Sequence, residues 1–220
     1  MTRIRPKTIY DIHSTFRVIT MSWTPKSTSS SLTKYVVRQG ISHILAQNRK
    51  NEAEARMLDL HFMAGFADAW PTVMRPLAAW RVVDKNGIGS AWTQWTNQVD
   101  PSSTPWIPTG LAVARVAKWC RDAGWVAAAV DLALWWSKQT AALYAAQSPQ
   151  HLDAQAGLGG ALTTAGRVDE GFPLLESVLT AKRQTLGEHH RSTLHTAAEL
   201  AVAYLRESRP SDALPLLQAD

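Results

Sequence analysis

At 220 residues, 45% of them hydrophobic, the chain can bury a real core as one elongated domain or two small ones. Its single cysteine, Cys120, excludes an intramolecular disulfide framework and a cysteine-based zinc cluster within one chain, and it suits a reducing compartment. The net charge of +5 belongs to the N-terminal segment: residues 1–50 carry nine Lys/Arg against one acid, and residues 51–220 carry fourteen against seventeen.

Residues 1–31 end in TPKSTSSS and show no clear periodicity. Being rich in Arg, Ser and Thr and poor in acid, they read as a basic tail, a ragged fragment end or a targeting peptide. A basic arm for nucleic acid is the alternative function, although the positive residues are scattered rather than clustered, which favours a solvated tail.

Residues 32–104 read as a segment of about four helices. LTKYVVRQGISHILAQ sets Leu32, Val36, Gly40, Ile41, Ile44 and Leu45 on one helical stripe, and NEAEARMLDLHFMAGF is its expected partner. WPTVMRPLAAWRVV and SAWTQWTNQV follow, with DKNGIG expected as the turn between them. PSSTPWIPTG, from Pro101, is the expected linker. No sustained period-2 alternation marks a strand.

Residues 105–220 repeat. Shifted by 42 residues, LDAQAGLGGALTTAGRVDEGFPLLE falls without a gap on LHTAAELAVAYLRESRPSDALPLLQ, so that Leu158 meets Leu200, Arg167 meets Arg209 and Pro173 meets Pro215. A second shift brings in LAVARVAKWCRDAGWVAAAVDLA, matching Gly124 to Gly166 and Val126 to Val168. Each copy reads as a helical hairpin. Gly124 and Gly166 stand where a helix C-terminus wants positive φ, and Ala129, Gly171 and Ala213 where two backbones can approach. Pro210 suits a first helical turn, whereas Pro173 and Pro215 lie deeper. The expected fold is all-α, a right-handed α-solenoid of about two and a half hairpins, with the third copy stopping at Asp220 inside its second helix. The pattern implies a chain truncated at both ends.

The stretch TLGEHHRSTLHTAAELAVAYLRESRPSDALPLLQ resembles a tetratricopeptide repeat of the kinesin-light-chain type, whose period is 42 residues. Leu186-Gly187, His190 and Thr193-Leu194 carry the likeness. Arg191 stands where that family has proline, and in the preceding copy Pro149 keeps the proline while Ser148 replaces the histidine. More loosely, YVVRQGISHILAQNRKNEAEARMLD is similar to the helical arm of STAND-type signalling NTPases. The phosphate-binding GxxxxGK[ST] loop of such a core does not occur in the chain, and GIGS at Gly87 lacks both its spacing and its lysine.

The repeat likeness implies a protein or peptide ligand, held in the groove lined by the first helix of each repeat. Carried over by repeat position, the groove side chains are Arg115 and Lys118 in copy one. Asp153, Gly157 and Gly160 follow in copy two, then His195, Glu199, Val202 and Arg206 in copy three. The paired asparagines that clamp a ligand backbone in that family are Ala156-Gly157 and Ala198-Glu199 here. The arm likeness implies a fragment of a STAND-type signalling ATPase, with an upstream nucleotide-binding domain of the same full-length protein as its partner.

Catalysis, metal and cofactors find no constellation. His189 and His190 are adjacent and point apart, and His195 is five residues from His190, whereas a helical ligand pair prefers i, i+4. These histidines mark a repeat boundary. Cys120 shares its repeat position with Leu162 and Tyr204 and reads as a core thiol. No GxSxG elbow occurs. Most of the ten tryptophans are expected in the core. No apolar run nears the roughly 18 residues of a membrane span, because Asp131 interrupts WVAAAVDLALWW. The expected place is the cytoplasm, and the expected role that of a scaffold without a reaction of its own.

Overall fold

The computed structural model of the chain describes residues 31–60, 62–64, 83–98 and 106–218. The tail before Ser31 and most of WPTVMRPLAAWRVV, with Trp70 and Trp80, lie outside the described residues. Every regular element among the described residues is an α-helix. Backbone packing divides the chain into two units, 1–125 and 126–220.

The first unit contains α1 (Ser31–Ala46), α2 (Lys50–Met57), α3 (Lys85–Gln98) and α4 (Trp106–Asp122). Ile41 and Ile44 of α1 are buried as their stripe predicts, along with Ala53 and Met57 of α2. Between α1 and α2 the chain reverses at Asn48, which takes a left-handed φ of 60°. An asparagine side chain tolerates that conformation better than most.

Three details differ from the sequence reading. The expected partner helix 51–66 breaks after Met57. Asp59 starts a new helical stretch there, its Oδ1 accepting the Phe62 N–H at 3.1 Å while its Oδ2 accepts from Arg56 at 3.1 Å. DKNGIG is not a turn but the start of α3. Asp84 caps it, accepting the Gly87 N–H at 3.0 Å, and a capping carboxylate outweighs the weak helix propensity of two glycines. α4 begins at Trp106, within the segment PSSTPWIPTG, and Pro108 falls in its first turn, where proline is tolerated.

Aromatic rings close this unit. The indole of Trp92 in α3 donates to the Met57 carbonyl at 3.0 Å, satisfying a backbone acceptor left over at the end of α2. Its ring stacks on Trp125 at 5.7 Å, and Trp119 meets Trp125 edge-on at 5.2 Å. Such pairs add roughly 0.5–1.5 kcal/mol each beyond their buried area. Val113, Val116 and Cys120 of α4 are fully buried, and burial holds the Cys120 thiol well above its usual range. The thiol is therefore an inert core group.

The second unit contains α5 (Val126–Leu143), α6 (Pro149–Thr164), α7 (Val168–Leu186), α8 (Arg191–Arg206) and α9 (Pro210–Leu217). The repeat period is visible in where helices begin: Val126, Val168 and Pro210 are 42 residues apart, as are Pro149 and Arg191. Each helix packs on its neighbours in sequence, and α6 also touches α8. The core runs as a stripe between them, from Leu152, Ala156 and Val178 to Leu175, Leu179, Leu200, Ala201 and Tyr204. Each such leucine contributes on the order of 1.5–3 kcal/mol by leaving water.

The turns repeat as closely as the starts. Gly124, Gly166 and Ser208 each take positive φ (77°, 76° and 57°). Each is followed by a residue whose N–H closes back five positions: Trp125 to Cys120, Arg167 to Leu162 and Arg209 to Tyr204, at 2.8–2.9 Å. This ending satisfies carbonyls that the helix leaves open. Ser208 shows that the ending survives without glycine.

Candidate functional site

The groove candidates lie on the first helix of each hairpin, and their positions follow from how those helices start. Ser148 caps α6 by accepting the His151 N–H at 3.2 Å, and Pro149 follows as its first residue. At the same repeat position His190 caps α8, its Nδ1 accepting the Ser192 N–H at 3.2 Å. The histidine at the repeat boundary therefore does what serine does one repeat earlier. His189 is exposed beside it. His195 lies 3.9 Å from Glu199 on the next turn. Among the described residues, no group of three or more His, Cys, Asp or Glu could hold a metal ion.

On α6, Asp153 is exposed, and its Oδ1 accepts both the Lys182 ammonium and the Ser192 hydroxyl at 2.6 Å. Gly157 is half-buried with open space where a Cβ would stand, so bare backbone faces outward there. Gly160 is buried, and its carbonyl accepts from Thr163 at 3.1 Å and Thr164 at 2.8 Å. It therefore presents no side of its own to a ligand. On α8, His195, Val202 and Arg206 are exposed and Glu199 is half-buried. Arg206 reaches back to the Thr164 hydroxyl of α6 at 3.2 Å. Two links, Asp153 to Ser192 and Thr164 to Arg206, thus tie the exposed sides of α6 and α8 together. In the first unit, Arg115 and Lys118 are exposed on α4, and Lys118 pairs with Asp122 at 3.0 Å.

Sequence reasoning missed the groups beneath this surface. Lys182 of α7 is buried, its side chain 2% exposed, yet it carries an ammonium that reaches Asp153 and, at 3.0 Å, Thr196 of α8. Thr140 of α5 is also buried and lies 3.0 Å from His151 Nδ1. A signal was present: Leu175, Val178, Leu179 and Lys182 follow i, i+3, i+4, i+7, so a lysine sits on an apolar stripe.

A third polar group lies at the α7–α8–α9 corner. Tyr204 donates its hydroxyl to the Glu176 carboxylate and stacks on Phe172 at 4.8 Å. The Arg209 guanidinium covers both rings, at 4.6 Å from Tyr204 and 5.2 Å from Phe172, and binds Asp212 at 2.7 Å. These contacts lock the turn that carries Ser208.

Comparison with known proteins agrees with this architecture. Residues 150–219 match the tetratricopeptide repeat family model. No curated protein matches the sequence. Two similar solved structures are those of kinesin light chain nearly identical TPR-like repeats from Podosopora anserina and of a single-substitution variant of that protein. They are 18% and 19% identical to this chain, with TM-scores of 0.50 and 0.51. The matches cover 98% and 99% of this chain and 94% of each of those chains. At that identity the likeness is one of fold. Tetratricopeptide repeats in general mediate protein–protein interaction and serve as non-catalytic scaffolds. No helix among the described residues is long and apolar enough to cross a membrane. The chain thus has the fold of an α-solenoid, and from residue 150 to 219 its sequence matches that of tetratricopeptide repeats.

Proposed function

We propose that this chain is a non-catalytic interaction scaffold whose first-helix surfaces hold a peptide or a partner domain. One observation carries the reading above others. The exposed sides of α6 and α8 are tied edge to edge through Asp153–Ser192 and Thr164–Arg206, so that side chains from two repeats form one surface. Gly157 leaves room for a ligand backbone to come close, with His195, Val202 and Arg206 on the neighbouring helix to choose among side chains. Arg115 and Lys118 hold the corresponding repeat positions on α4 of the first unit and are a candidate surface of their own.

A displayed library of short peptides, panned against the full chain, tests this. Selected peptides should lose at least tenfold in affinity against Val202→Asp and against His195→Glu, both on α8, with helicity unchanged. Peptides that bind those variants as well as the parent, or a library that yields none, would remove the groove.

The likeness of residues 35–59 to a STAND-type arm supports a finer version, in which the partner domain is a nucleotide-binding one and the setting cytoplasmic. Co-purification with a separately expressed domain of that class, abolished by changes on α1 and α2, is its test. The charge asymmetry of residues 1–50 supports a second reading, a nucleic-acid-associated regulator. It requires RNA or DNA binding that weakens steeply with salt and disappears when residues 1–31 are removed.

A further inference from the structure

Lys182 stands where the apolar stripe of α7 calls for a leucine, and it connects three successive helices: its own, α6 through Asp153, and α8 through Thr196. Forty-two residues earlier, Thr140 holds the same place on α5 and is equally buried. Thr140 gives its only hydroxyl proton to the Ser137 carbonyl at 3.0 Å, so the imidazole of His151 is the donor in their contact. Each junction between hairpins therefore hides one polar link at the same position, and the two links are chemically different.

The apolar residues nearest these polar groups are small and specify register poorly by themselves, the larger Phe172, Leu175, Leu200 and Tyr204 packing further along the junction. Ala154, Ala156 and Gly159 on α6 and Ala197 and Ala201 on α8 are small and buried. Small side chains raise shallow ridges, and the copies resemble one another at their 42-residue period. A hairpin stacked on the wrong neighbour would meet apolar residues at the same repeat positions, whereas a helix displaced by one turn would also have to move Leu200 and Tyr204 off Phe172, Leu175 and Leu179. The polar groups would notice. Shifted by a turn, α8 offers Leu200 to Lys182 in place of Thr196. Stacked on a second α6 rather than on α8, α7 brings Lys182 against His151 and Ala154, the counterparts of Thr193 and Thr196.

We propose that Lys182 and the Thr140–His151 pair are junction keys, which fix the register and the order in which the hairpins of this chain stack. A buried polar group of this kind adds little over an apolar replacement of equal size, but it penalises every arrangement that leaves it without its partner. Their differing chemistry keeps one hairpin from taking its neighbour's place, within a chain or between two copies of it.

Spin labels at Asp169 and Arg191, in the full chain with Cys120→Ala, read the distance between the starts of α7 and α8. The parent should give one narrow distance. Lys182→Met should keep helicity and melting temperature while the distribution splits, with a second distance about 5 Å away, one helical turn. Thr140→Val/His151→Leu should do the same between labels at Ala127 and Gln150. A single narrow distance in either variant overturns that key. Loss of helicity in Lys182→Met would mean that the ammonium holds the fold rather than its order, and would overturn the Lys182 half. The second variant then decides the other half alone.

Discussion

Gly159 and Gly171 let α6 and α7 cross with their backbones nearly touching. A Cβ on Gly171 would lie 3.1 Å from the Gly159 carbonyl oxygen and 2.9 Å from the backbone nitrogen of Thr163. At the next crossing the same repeat positions hold Ala201 and Ala213, both buried. Gly171→Ala gains up to about 1 kcal/mol of helix propensity but forces a methyl against backbone, which costs about 1–3 kcal/mol. The net expectation is a variant about 1 kcal/mol less stable than the parent. Urea unfolding measures it, and an unchanged or higher midpoint would mean that this crossing has slack.

Gly157 lies in the same helix with nothing within 4 Å of its absent Cβ. Here only the backbone term remains, so Gly157→Ala should stabilise the chain by about 0.5–1 kcal/mol. If peptides use the bare backbone at that position, the same variant should weaken them while it raises stability. Opposite signs for two glycine-to-alanine changes in one hairpin would separate packing from propensity. Equal signs would deny that distinction.

The contrast between these glycines shows which parts of the fold a sequence declares. The period of 42 residues, Pro210 in a first helical turn and the left-handed turns at Gly124 and Gly166 were legible, because each rests on local chemistry. Asp84 and Asp59 were read less well. A carboxylate that caps a helix looks, in sequence, the same as one that opens a turn, and only its bond to Gly87 or Phe62 decides. Lys182 was missed altogether. Its partners are 29 and 14 residues away on other helices, and only its place on the apolar stripe hinted that it was buried. The groove candidates were placed by family position, and Gly160 shows the limit of that step: its counterpart Val202 is exposed, while Gly160 itself is covered.

Ser148 and His190 perform one task with different atoms, which makes their exchange informative. Removing a serine cap costs about 1 kcal/mol, so Ser148→Ala should lower stability by that amount and Ser148→Asp should restore it. His190→Ala should cost a similar amount at neutral pH. His190→Asn, whose side-chain oxygen can accept the same Ser192 N–H, should restore the lost stability, as Ser148→Asp does at the other cap. Urea unfolding of these variants checks this, and a His190→Ala variant as stable as the parent would count against the histidine cap.

Tyr204 gives the fold an alkaline limit. Burial, then the hydrogen bond donated to Glu176, pushes its hydroxyl up to about 12. In the unfolded chain a tyrosine ionises near pH ~10. The folded state thus holds this proton more tightly than the unfolded state does. Its contribution to stability is present in full below about pH 10 and is lost as pH climbs toward 12, because only the unfolded chain can release the proton in that window. Tyr204→Phe should be less stable than the parent at pH 8, where the bond to Glu176 is intact. The gap between the two should then narrow steadily from pH 10 to pH 11.5. Paired urea titrations across that range read the difference directly, and a gap that stays constant would show that Tyr204 ionises as readily in the folded chain as in the unfolded one.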